Sequence, residues 1–288
     1  MENAIEIKNL SKTYQDFRLQ ELNLSIPAGT VMGLIGANGA GKSTLINSLL
    51  GLQKSDYESI HILGMDLKTQ EKEIKEEIGV IFDVTHYNLE FTPVFIGKVL
   101  SKIYKNWDMA TYKNYLEKFH LPINKKLKKY SKGMKMKLEF AIALSHSPKL
   151  LILDEATSGL DPIFRDEVLD IIREYTEDEN HTVLLSSHIT SDLDKIADYI
   201  AFIHEGRLLF VKTYDEIQEN YGIINCGKEV FETLSTEDII SYRKEAYGYK
   251  VMIQNKQQLR KIFRDLEIEN TSIEDLMLFY VKGEKLAC

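Results

Sequence analysis

At 288 residues, 44% hydrophobic and 28% charged, the chain has the composition of an ordinary folded protein, long enough for one large domain or a domain with a smaller appendage. Its net charge of −8 and pI near 5.5 argue against nucleic acid as a partner, because phosphate binding leaves a basic footprint. The basic run from Asn124 to Lys129 reads as a solvated face. No apolar stretch approaches the roughly 20 residues that a helix needs to span a bilayer, so work across a membrane has to pass through a partner. Cys226 and Cys288 are too few and too distant for a disulfide framework or a zinc site and fit a reducing compartment. The first residues, Met-Glu-Asn-Ala-Ile-Glu-Ile-Lys, alternate like a half-buried strand and lack the layout of a signal peptide.

In chain order, Ile5 and Ile7, then Leu22, Leu24 and Ile26, predict two antiparallel strands joined by a loop over Ser11–Phe17. Val31–Ile35 is a buried strand, followed by a glycine-rich turn and a helix over Thr44–Leu50. Further buried strands are predicted at Ile78–Phe82, Leu150–Leu153, Val183–Leu185 and Tyr199–Ile203, with helices between the later ones, which gives a largely parallel sheet. From about Thr92 to Ser145 only helices are expected, with breaks at Pro93 and Pro122. Arg207–Val211 adds a hairpin-like piece and Thr213–Asn220 a helix. The tail alternates strands (Val230–Leu234, Tyr247–Ile253) with helices (Lys256–Leu266, Ser272–Val281).

The chemistry is carried by two segments. Gly36-Ala37-Asn38-Gly39-Ala40-Gly41-Lys42-Ser43 satisfies G-x-x-x-x-G-K-[ST] between a strand and a helix that opens with Thr44. Its glycines let backbone N–H groups turn toward phosphate oxygens at a helix N-terminus. Lys42 is expected to hold the β- and γ-phosphates and Ser43 to ligate Mg²⁺. The second segment, Lys149–Glu155, is an apolar strand that ends in two carboxylates where parallel sheets place their ligands. Asp154 is expected to anchor Mg²⁺ and Glu155 to polarise a water for attack on the γ-phosphate of ATP.

Three more segments carry a family resemblance. Tyr130-Ser131-Lys132-Gly133-Met134 precedes the acidic strand, Ser158-Gly159-Leu160-Asp161 follows it, and His188 lies just beyond Val183–Leu185. With the two segments above, this order over about Ile5–Glu219 resembles the ABC (ATP-binding cassette) ATPases. The resemblance implies an α/β P-loop cassette: a mixed sheet, an antiparallel edge sheet and an inserted helical subdomain at about 86–145. The cassette would occupy 1–220, with a small α+β accessory domain at 221–288. It implies a homodimer sandwiching two ATP, with Ser131 and Gly133 of one subunit facing the γ-phosphate held by Lys42 of the other. His188 would bond that phosphate, Asp161 would organise the interface, and Tyr14 would stack on adenine; read alone, Tyr14 is also an ordinary surface or core tyrosine.

Two positions depart from the family pattern. Lys132 and Met134 stand where its signature has Gly and Gln, and Asp83 ends the Ile78–Phe82 strand where it has a magnesium-sensing glutamine. Asp83 is retained as a metal-side residue. The Phe-Asp and Tyr-Ser-Lys-Gly-Met-Lys pattern resembles exporter cassettes related to those for bacitracin resistance and phenol-soluble modulins. That implies a subunit at the cytoplasmic face of the membrane, docked on a separate permease and powering efflux of amphipathic or antimicrobial peptides. Phe91, Phe95, Ile103, Tyr104 and Trp107 either line a groove for that partner or fill the subdomain's own core. The alternative class is a soluble ABC ATPase switching on ribosomes or DNA. One cassette and no heptad run speak against it.

Overall fold

The computed structural model describes residues 2–263 and 266–285. Alternating apolar residues make β1 (Asn3–Thr13) and β2 (Arg18–Pro27) an antiparallel pair, with Ile5 opposite Ile26 and Ile7 opposite Leu24. The wholly buried β3 (Val31–Ile35) leads through the glycine-rich turn into α1 (Lys42–Leu49). There follow β4 (Ser59–Ile62), β5 (Met65–Asp66), α2 (Glu71–Glu77) and β6 (Ile78–Phe82). Next come α3 (Pro93–Leu100), α4 (Met109–Lys118), a 3₁₀ turn at Leu127–Lys129 and α5 (Lys132–Leu144). Thr92, Asp108 and Ser131 accept backbone N–H groups at the starts of these three helices, a satisfaction worth about 1 kcal/mol each. Pro93 sits at the first helical turn, where its missing N–H costs nothing, so it starts a helix and does not break one.

The second half alternates β7 (Leu150–Asp154), α6 (Pro162–Thr176), β8 (Thr182–Ser187), α7 (Thr190–Ile196), β9 (Tyr199–His204), β10 (Arg207–Thr213) and α8 (Tyr214–Asn220). It closes with β11 (Gly222–Cys226), α9 (Lys228–Thr233), β12 (Ile239–Glu245), β13 (Gly248–Ile253), α10 (Lys256–Ile262), β14 (Ile268–Asn270) and α11 (Ile273–Lys282). The central sheet runs β10-β9-β3-β8-β7-β6, parallel except for β10; a second sheet runs β2-β1-β4-β5, and a third, antiparallel, β12-β13-β11-β14. The mixed central sheet, antiparallel edge sheet and helical insertion agree with the expected fold class.

Val230–Leu234 is a correction: it lies mainly in α9, not in a strand, because Phe231 stacks on Tyr249 from one helical face with Glu229 and Glu232 around it. The third sheet shares the main apolar core: Ile223, Met252, Ile273, Leu276 and Phe279 cluster with Leu193 and Phe202. Cys288 and residues 264 and 265 of the expected Lys256–Leu266 helix lie outside the described residues. Among the described residues no helix is long and apolar enough to cross a membrane.

Candidate active site

Adjacent parallel strands β3, β8, β7 and β6 end on the same edge of the sheet. That edge gathers Gly36–Ser43 after β3, Ser186–His188 at β8, Asp154 and Glu155 at β7, and Asp83 after β6. The residues are up to 152 positions apart in sequence, Gly36 to His188, and only the parallel order of the strands brings them together. A cleft of about 590 Å³ lies among Asp16, Phe17, the Asn38–Thr44 loop, Asp83, Glu155, Ser158 and His188.

Two glycines shape the loop. A Cβ on Gly36 would lie 2.4 Å from the Ile203 carbonyl oxygen, and Gly41 holds a φ of 115° as the residue before α1. Gly41 supplies no capping side chain, so the first N–H groups of α1 face an acceptor from elsewhere, an arrangement suited to an anion. Lys42 is 5% exposed; its Nζ donates to the Gly36 carbonyl at 2.8 Å and pairs with Glu155 Oε1 at 3.1 Å. The other carboxylate oxygen of Glu155 meets His188 Nδ1. One carboxylate therefore joins the loop lysine to the histidine.

Glu155 is held by its backbone, which turns at φ 54°. Its N–H donates to the Ser186 carbonyl at 3.2 Å and to Ser186 Oγ at 3.1 Å, while Ser186 Oγ donates to Asp154 Oδ1 at 2.6 Å. Ser186 is buried opposite Asp154 across the β7–β8 pair and positions both acids. Sequence reasoning missed it, because a serine closing an apolar strand carries no motif. Behind the site, Asp192 of α7 lies 3.9 Å from Arg165 of α6; burial pushes its carboxyl up, against the Thr157 hydroxyl and the Arg165 charge.

The remaining predicted residues divide into two groups. Ser43, Thr44, Asn38, Gly39 and Asp83 line the cleft; Gly36, Ala40 and Asp154 support it from the loop and strand. Ser131, Gly133 and Asp161 are not brought to the cleft wall within this chain. Ser131 caps α5 by accepting the Met134 N–H at 3.2 Å, with Gly133 in the same turn, and Asp161 caps α6 by accepting the Phe164 N–H at 3.0 Å. Lys132 Nζ donates to the Ser158 carbonyl at 2.7 Å, tying the start of α5 to the segment after Glu155. Tyr14 is 45% exposed and its hydroxyl donates to Gln53 Oε1 at 2.5 Å. It stands on the loop between β1 and β2 that brings Asp16 and Phe17 to the cleft wall, with Phe17 beside Gly41.

The family model for the ABC transporter matches residues 19–158. The lantibiotic transport ATP-binding protein SrtF of Streptococcus pyogenes is 38% identical over 218 residues, covering 73% of this chain and 91% of that one. The chain belongs to the ABC transporter ATP-binding proteins. The bacitracin transport ATP-binding protein BcrA of Bacillus licheniformis is 35% identical over 223 residues, 76% of this chain and 72% of its own. A solved ATP-binding subunit of an ABC transporter superposes with TM-score 0.68 at 28% identity, covering 75% of this chain and 92% of that one. The cassette thus binds ATP and hydrolyses it to power transport.

Proposed function

We propose that this cassette drives export through a separate membrane-spanning subunit, that two copies close on two ATP molecules, and that each site is shared. The observation that carries the catalytic assignment is the Glu155 carboxylate standing between Lys42 and His188 beside the phosphate loop. The loop N–H groups and Lys42 take the phosphates, with Gly36, Asn38, Gly39, Ala40, Gly41, Ser43 and Thr44 forming the cradle. Phosphate draws the Lys42 ammonium off Glu155, and the carboxylate so released is free to accept a proton from the attacking water. His188 then bonds the γ-phosphate. No three His, Cys, Asp or Glu among the described residues group to hold a metal alone. The hard oxygens of Ser43, Asp154 and Asp83 fit Mg²⁺ as part of a shell completed by phosphate. Such an ion supplies charge neutralisation at the phosphates.

Ser131 and Gly133, at the start of an α-helix and away from their own cleft, suit an anion held by a second copy. Asp161 belongs to the same interface. Residues 1–220 form the nucleotide-binding unit, with its helical part at about 86–145, and 221–288 the accessory unit. The relatives named for bacitracin and lantibiotic transport support an amphipathic antimicrobial peptide as cargo, and the cassette works at the cytoplasmic face of the membrane, held there by the membrane-spanning subunit. The test of shared sites is the Ser131→Arg variant of the purified chain. It should lose ATP hydrolysis while still binding ATP as a monomer, and a wild-type rate would refute the sharing.

A further inference from the structure

Lys132 stands where the family signature has a glycine, and it does not line the nucleotide cleft of its own chain. It is the first residue of α5, between Ser131 and Gly133, and its Nζ donates to the Ser158 carbonyl at 2.7 Å. The approach is close: a Cβ on Gly159, which holds φ 67°, would lie 2.9 Å from that Nζ. A side chain from the start of α5 therefore rests on the turn that carries the chain from Glu155 to Asp161.

This contact has neighbours. In the first turn of α6 the Phe164 ring is 4% exposed. Its N–H donates to Asp161 Oδ1 at 3.0 Å, and a Cβ on Gly133 would lie 3.7 Å from its Cδ1. Lys137 of α5 sets its ammonium 4.7 Å from the centre of that ring and pairs with Glu167 at 2.8 Å. Farther along α6, Glu174 pairs with Lys118 of α4 at 3.0 Å. Seven residues are about two helical turns, so Glu167 and Glu174 lie along one face of α6, and the helical insertion supplies the lysine to each. Exposed pairs of this kind contribute little to stability. Their consequence is geometric, because Lys132, Lys137 and Phe164 meet at the junction between Gly133 and Asp161.

We propose that Lys132 and Lys137 are positioning residues for ATP hydrolysis: they lock the first turn of α5 to the first turn of α6, so that Ser131, Gly133 and Asp161 reach the second copy's nucleotide as one rigid unit. The proposal rests on the shared-site reading above and names what holds the donating half together. Ser131 and Gly133 come from the helical insertion and Asp161 from the segment after β7. Their spacing is thus set by packing between two elements and not by one stretch of backbone. Donors stabilise a transition state only from fixed positions, and a shift of about 1 Å costs up to a hundredfold in rate.

The test uses the purified full chain, with phosphate release from saturating Mg·ATP giving kcat and a titration giving the Kd for ATP. Lys132→Met keeps the apolar stem and loses the donor. Its kcat should fall about tenfold while its Kd and thermal midpoint stay at wild type, and Lys132→Arg should recover most of the rate. Lys137→Glu sets two carboxylates against each other and should lower kcat to a similar degree, with Glu167→Lys in the same chain restoring it. Wild-type kcat in Lys132→Met and Lys137→Glu overturns the lock. So does a loss at Lys132 alone, which would give its charge a direct part at the partner's phosphate, and so does a loss at Lys137→Glu that Glu167→Lys leaves unrepaired. A fall in Kd affinity or thermal midpoint alongside kcat in Lys132→Met would reduce that lysine to fold stability and overturn its positioning role. A wild-type rate in Ser131→Arg overturns the shared-site reading and this proposal with it, whereas inactive Ser131→Arg beside fully active lysine variants overturns the lock alone.

Discussion

The buried carboxyl of Glu139 makes stability depend on pH in a direction that can be worked out in advance. Burial carries it from 4.5 to about 7, a difference worth about 3 kcal/mol at 1.36 kcal/mol for each pH unit. A carboxyl with a higher pKa folded than unfolded holds more protons when folded, so its contribution is complete below about pH 4.5 and is lost as pH rises through 7. Glutamine has no proton to lose. The stability of Glu139→Gln relative to wild type should therefore climb by about 3 kcal/mol between pH 4.5 and pH 8. Urea unfolding followed by fluorescence measures it directly, because Trp107 is the chain's only tryptophan and stacks on Tyr104, which lines the same cavity as Glu139. Wild-type and variant stabilities that stay parallel across that range would refute the reasoning and place a charged, paired Glu139 in the isolated chain.

Ser186→Ala removes the donor to Asp154 Oδ1 and one acceptor of the Glu155 N–H. A hydrogen bond to a charged group is worth about 1.5–3 kcal/mol, so kcat should fall about tenfold to a hundredfold, with Ser186→Thr restoring most of it. An unchanged kcat would remove Ser186 from the positioning role. Tyr14→Ala should weaken ATP binding by about tenfold, in line with the cost of losing one base–aromatic stack. An unchanged Kd in a titration with ATP would remove Tyr14 from the adenine-stacking role. Lys42→Ala should raise the Kd for ATP, and undiminished affinity would count against the phosphate-loop assignment.

What the sequence disclosed follows from which interactions are local. The strand, loop and helix at Val31–Leu49 were legible because an apolar run, a glycine spacing and a helix lie contiguously in the chain. The strand order was not, since nothing local says that β3 lies between β9 and β8. Ser186 and Glu139 escaped for the same reason: one looks like the polar end of a strand and the other like a charge on an amphipathic helix, until tertiary packing buries both. Phe17, three residues after Tyr14, carries no motif either, and only the tertiary approach of its loop to Gly41 brings it to the cleft. In the tail, the apolar residues of Val230–Leu234 suit either period, and the stacking of Phe231 on Tyr249 decides for a helix. The short β11 and β14 carry too few residues to show a period at all.

The most direct test of the central claim is phosphate release from Mg·ATP by the purified wild-type chain and by Glu155→Gln. Loss of a positioned general base should lower turnover by about 10² to 10⁴, with ATP affinity retained and an ATP-bound dimer that outlives the wild-type one. Normal hydrolysis by Glu155→Gln would contradict the account and require another group to activate the water.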